Sequence, residues 1–230
     1  MKITSYNLLA GVLVIAFHSC NTSDQNAEID YKGFANKEIK LVGYNKEVDL
    51  KDTLGLISLE IPTRLDTFYK WHNTSDCLPC GWMQYRFADK KYPQLAESGW
   101  MPTIVDSVYQ LDIWHKPIKE APDSITLKPI SEKDTSFCDY HPHIVWSSKP
   151  AYFLFKEFKI IYKRPFIISA FTSPRGKGKF ANSQPLFVVA ETNLKSRELY
   201  FIGECRTKDT TGFIDNMYKS FLSIRIKENP

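Results

Sequence analysis

Two short stretches hold the residue types that most often do chemistry: Cys77-Leu78-Pro79-Cys80 and Cys138-Asp139-Tyr140-His141-Pro142-His143. The first is a C-x-x-C. In redox enzymes that spacing sets one thiol at a helix N-terminus, where the dipole lowers its pKa. Here Asp76 stands directly before it, and an adjacent carboxylate raises a thiol pKa instead. The alternating segment Trp82 to Phe87 follows, a strand-like context rather than a helix. Structural bridging is therefore the expected use of this pair. Cys138 and His141 repeat the two-residue gap, so Cys77, Cys80, Cys138 and His141 form a workable tetrahedral zinc set. Asp139, His141 and His143 offer a second reading. Pro142 pushes His141 toward extended geometry, which points positions 139, 141 and 143 the same way. Two imidazoles and a carboxylate on one face can hold a metal with open positions. The plainer reading of the same residues is a polar loop beside a cysteine bridge, and no cofactor is expected, with zinc as the alternative.

Other candidates are weaker. Arg175-Gly176-Lys177-Gly178-Lys179 lacks the frame of a phosphate-binding P-loop. Its cations Arg175, Lys177 and Lys179 suit an anion such as a lipid headgroup or an acidic glycan, but a solvated hairpin tip needs no ligand. Asp112 and His115 resemble an acid–base pair, yet their odd separation in a strand puts them on opposite faces. His72 is a loop histidine with no named partner. No G-x-S-x-G nucleophile elbow occurs. No catalytic residue is assigned.

The N-terminus is more informative. Lys2 precedes an unbroken apolar run from Leu8 to Phe17. At ~1.5 Å per residue, that run as a helix reaches about half of a bilayer core, too little for a span. A basic start, a short apolar run and small residues before a cut give the layout of a signal peptide. The run ends in Phe17-His18-Ser19-Cys20, followed by Asn21-Thr22-Ser23-Asp24. This resembles a lipobox, the cleavage site of bacterial lipoproteins. Ser19 suits the small position before the cysteine, whereas Phe17 replaces the usual Leu and His18 is unusual. The resemblance implies that Cys20 becomes the first mature residue and carries lipid. It also implies the outer membrane, because the aspartate that retains such proteins in the inner membrane is replaced by Asn21. Two or three acyl chains anchor stably, where one is marginal.

Composition narrows the classes. Lys2 is the only charge in the first twenty residues, so the remainder carries 29 basic and 26 acidic side chains. That balance excludes the concentrated basic face of a nucleic-acid binder. The apolar content, 43%, is that of a globular body rather than a disordered one. No second long apolar segment is present, so lipid is the expected membrane attachment. Setting Cys20 aside leaves Cys77, Cys80, Cys138 and Cys205 as disulfide candidates for an exported chain. Four cysteines allow three pairings, and spacing does not choose among them.

The elements that must position these residues are mostly strands. Residues 1–19 read as signal peptide, 20–38 as lipidated cysteine and flexible tether, and 39–230 as one globular domain. Leu56-Ile57-Ser58-Leu59-Glu60-Ile61 and Thr103 to His115 alternate with period two. Trp82 to Phe87 alternates as well, with Met83, Tyr85 and Phe87 opposite Trp82, Gln84 and Arg86. Tyr152 to Tyr162 and Phe166 to Phe171 are apolar strands around a hairpin turn at Lys163-Arg164-Pro165. Leu186 to Ala190 and Glu198 to Cys205 add two more. Lys116 to Asp134, with three prolines, is a long excursion. Phe213, Ile214, Met217, Tyr218, Phe221 and Leu222 follow helical spacing after a cap at Thr210 or Thr211. Ser223 to Lys227 returns as a short strand.

The expected fold is α+β: a mainly antiparallel sheet with a C-terminal helix packed on it and a short terminal strand. Gly55 to Pro62 resembles the first strand of PsbP-like domains, and Thr211 to Ile226 resembles their closing helix and strand. The similarity covers about 24 residues and implies a non-enzymatic, partner-binding module. The expected protein is a lipid-anchored binding or assembly module of the bacterial outer membrane, facing the periplasm or the outside. Its partner is an envelope protein or glycan, not nucleic acid. The alternative is a metal protein or enzyme built on Cys138, Asp139, His141 and His143.

Overall fold

The computed structural model describes residues 29–42, 53–73, 82–92, 108–117, 152–172, 185–194, 197–206 and 210–228. Met1–Asp30 separates from Tyr31–Pro230, and every element below belongs to the second unit. In chain order the strands are β1 (Phe34–Val42), β2 (Thr53–Pro62), β3 (Thr67–Asn73), β4 (Trp82–Ala88) and β5 (Tyr109–Pro117). Then come β6 (Tyr152–Ile161), β7 (Arg164–Thr172), β8 (Leu186–Leu194) and β9 (Arg197–Cys205). Helix α1 (Phe213–Leu222) and β10 (Arg225–Glu228) close the chain.

These strands form two sheets in which every neighbouring pair is antiparallel. The smaller has the order β1-β2-β10 and the larger β3-β4-β5-β9-β8-β7-β6. The expectation of an α+β fold is therefore corrected. Among the described residues the molecule is β-rich, with ten strands in two sheets and one ten-residue helix. The burial patterns give the physical reason. β7 is buried at six successive positions and β8 at five. Such strands have both faces covered and read as continuous apolar runs, so they do not belong to a single sheet with one wet face.

One face of the large sheet carries the main core. Tyr85, Leu111, Ile113, Phe166, Ile168, Val188, Ala190, Leu199 and Phe201 point there, all nearly or fully buried. Helix α1 lies on this face through Phe213, Met217 and Phe221, which recur every four residues along one side of the helix. Gly203 on β9 allows the close approach. A Cβ there would meet Met217 Cγ at 2.7 Å and Sδ at 2.9 Å. Asp215 in the first turn and Lys219 in the last suit the helix dipole. The N-cap position is held by Gly212 at φ 68°, with no side-chain cap hydrogen bond, in place of the expected threonine cap.

The small sheet adds Ile39, Leu41, Ile57, Leu59 and Ile61 to the same core. Two hydroxyls fasten it. Tyr85 Oη on β4 accepts from the Val42 amide at 3.0 Å and donates to the Lys40 carbonyl at 3.3 Å. Ser223 Oγ accepts from the Glu60 amide at 2.7 Å and donates to the Ser220 carbonyl at 2.6 Å. β1 pairs with β2 from Phe34 onward, so the strand reaches back into the stretch read as tether.

Candidate functional site

Most residues singled out for chemistry lie outside the described residues. These are Cys20, Cys77, Cys80, Cys138, Asp139, His141, His143, Arg175, Lys177 and Lys179. Cys205 is described and fully buried, at the end of β9 with its Cα opposite those of Tyr109 and Leu186. Among the described residues no group of three His, Cys, Asp or Glu side chains gathers to hold a metal. Asp112 and His115 lie on opposite faces of β5. Asp112 joins the polar cluster described next, and the His115 ring lies 6.4 Å from that of Tyr85 on the core face.

The second face of the large sheet holds a buried polar ladder across β4, β5 and β9. Arg86 binds Asp112 through two donors, Nε to Oδ1 at 2.6 Å and Nη2 to Oδ2 at 2.9 Å. Gln84 and Gln110 each donate to Asp112 Oδ2 at 3.3 Å. Gln110 Nε2 also reaches Glu204 Oε2 at 3.2 Å, and Arg206 Nε donates to Glu204 Oε1. Gln84, Arg86, Gln110 and Asp112 are all at most 5% exposed. Pairing explains the assembly: Arg86 stands opposite Asp112, and Gln110 opposite Glu204. Burial pushes the Glu204 carboxyl above the usual range and Asp112 adds to that, while Arg206 and Arg86 pull it down. Asp112 accepts from four donor atoms of three side chains, one at Oδ1 and three at Oδ2, so the ladder is a latch between strands. Beside it, Phe171, Phe187, Val189, Tyr200 and Ile202 form a second apolar cluster on this face.

The surface offers more to a partner. Among the described residues β6 is an edge strand of the large sheet, and Phe153, Leu154 and Ile160 on it are 45%, 54% and 61% exposed. The ladder between β6 and β7 shifts register at Phe153/Phe155, a bulge of the kind that blunts edge pairing. The β6–β7 loop is Tyr162-Lys163, with both residues at positive φ, 46° and 67°. The last pair before it is Ile161 opposite Arg164. This is the twist of a type I′ hairpin, made without the usual Asn-Gly. The turn thus falls before Arg164 and Pro165 rather than on them. Pro165 belongs to β7, where its carbonyl accepts from Thr192 Oγ1 at 2.7 Å.

Arg225 of β10 holds the turn. Its guanidinium lies 4.6 Å from the Tyr162 ring centroid, and Nη2 donates to Tyr162 Oη at 3.0 Å. Ile161, Tyr162, Arg164, Phe166, Ile224, Arg225 and Ile226 line a cavity of about 150 Å³ between turn and strand. Tyr31, at the start of the second unit, sits next to this place. Its hydroxyl bonds the Lys219 carbonyl at 3.5 Å. Its phenol is pushed up by burial first, then by Tyr162 and Glu60, and eased by Ser223 and Arg225.

The chain matches no family model and no curated protein. No helix among the described residues is long and apolar enough to cross a membrane.

Proposed function

We propose that this protein is a lipid-anchored binding or assembly module of the bacterial outer membrane, held there through acylated Cys20. The observation that supports a binding role is the apolar pair Phe153–Leu154 on the edge strand β6. Both side chains are about half exposed, while apolar clusters on both faces of the sheet are buried. Leaving two adjacent large apolar side chains half in water forgoes roughly 1 kcal/mol of burial each, which a partner restores on docking. The bulge beside them disfavours strand addition and favours side-chain docking by an envelope protein.

A photo-crosslinking residue at Leu154 of the membrane-bound protein tests this, with the same residue at exposed Lys40 on β1 as control. A discrete adduct with one envelope protein from position 154, and none from 40, is the expected result. Adducts with glycan alone, or equal labelling at both positions, contradict it.

A further inference from the structure

The β6–β7 turn and β10 together form a basic, apolar-tipped end of the molecule, and we propose that this end seats directly on an anionic bilayer surface. Ile160 and Tyr162 would enter the headgroup boundary, while Lys163, Arg225 and Lys227 meet lipid phosphates. This inference rests in part on the lipid-anchor reading above.

Three observations carry it. The first is exposure. Ile160 and Tyr162 are 61% and 55% exposed at the tip, and Arg225 and Lys227 face outward from β10. An amphipathic ring beside aliphatic and cationic side chains is the composition that membrane interfaces favour.

The second is charge. Five cations cluster at this end: Lys159, Lys163, Arg164, Arg225 and Lys227. Of the acids nearby, Glu157 pairs with Lys159 at 3.5 Å and Glu228 with Arg164, while Glu60 accepts from the Asn36 amide at 2.9 Å, so the cations outnumber them. Lys163, Arg225 and Lys227 have no carboxylate partner among the described residues. Arg225 rests on the Tyr162 ring and hydroxyl, which leaves the rest of its donor fork for an external oxyanion. The cavity between turn and strand, with Arg164 and Arg225 on its wall and Ile161, Phe166, Ile224 and Ile226 beneath, has room for part of a headgroup.

The third is the turn itself, which holds two non-glycine residues, Tyr162 and Lys163, in the left-handed region, a backbone conformation that clusters at functional sites.

The test is vesicle flotation of the full chain carrying Cys20→Ser, which removes the acylated residue. Vesicles of phosphatidylcholine with about a third phosphatidylglycerol are compared with phosphatidylcholine alone. The Cys20→Ser chain should float with the anionic vesicles, less so as salt rises. Adding Lys163→Glu and Lys227→Glu should lower partitioning at least tenfold. The leader is common to both chains, so its own affinity cancels. Both exposed replacements should leave the thermal unfolding midpoint in place; if they do not, Lys163→Gln and Lys227→Gln serve, with a smaller loss expected. Equal flotation of parent and variants overturns the proposal, as does a parent that does not prefer anionic vesicles. Acylation of the unaltered chain is read separately by mass. Lost acylation with intact flotation sinks the anchor and leaves the tip; the reverse sinks the tip and leaves the anchor.

Discussion

Asp112 shows how far a residue's role depends on what stands across the strand. Its alternation with Gln110 and Trp114 on one face of a strand is plain in the sequence, and so is that of Gln84 with Arg86. What the sequence does not contain is the pairing that brings Arg86 opposite Asp112, nor that this face is covered. Burying the pair makes each partner depend on the other. Asp112→Ala leaves the Arg86 guanidinium buried without its counter-ion and should cost about 3–5 kcal/mol in urea unfolding. Combining it with Arg86→Met should recover most of that loss, since an apolar pair carries no desolvation penalty. Additive losses in the double variant contradict this account of the ladder. Glu204 gives a pH signature. Its folded pKa is raised, so the folded state holds the proton more tightly than the unfolded chain. Stability from this group is fully present below the ordinary glutamate range and is lost as pH rises from there through the folded value. Glu204→Gln should flatten the change of the urea midpoint as pH rises above the ordinary glutamate range. An unchanged slope would show that Glu204 does not titrate in this way.

At the scale of elements, the sequence was legible where period and burial agree. Helix α1 follows from the spacing of Phe213, Met217 and Phe221, and β5 from the alternation of Tyr109, Leu111 and Ile113. It was less legible where a backbone conformation is imposed from outside. The β6–β7 turn uses Tyr162 and Lys163 at positive φ, which no propensity favours, and Arg225 from another sheet helps to hold it. Gly203 is a similar case. As one glycine in a strand it signals only a close approach. The structure supplies the approaching group, the Met217 side chain. Gly203→Ala should push α1 from β9 and cost about 1–3 kcal/mol, read by thermal or urea unfolding. Shortening the neighbour in Gly203→Ala/Met217→Ala should cost less than the two single losses summed. Strict additivity in that cycle contradicts a steric origin.

At the scale of the whole molecule, the two sheets among the described residues share one core with helix α1, and this arrangement was the least legible. The strands were readable one by one, but their partition depends on pairings distant in sequence. β10 joins β2 rather than the sheet containing β9, its nearest strand in the chain. Local periodicity carries no information about such closures, and so an α+β domain was expected where a β-rich one formed. The candidate chemistry suffered a different fate. Asp139, His141 and His143 were chosen by spacing, and they fall outside the described residues, as do all the candidate cysteines except Cys205. What remains among the described residues is a body with a buried polar latch inside, an apolar pair on one edge and a basic tip beside Tyr31. The central claim is that this body hangs from lipid on Cys20. The most direct measurement is the intact mass of the protein extracted from the membrane of the cells that make it. The account predicts a chain starting at Cys20 whose mass exceeds that of residues 20–230 by a diacylglycerol and a fatty acyl group. A chain that retains Met1 to Ser19, or one cut elsewhere and carrying no lipid, would contradict it.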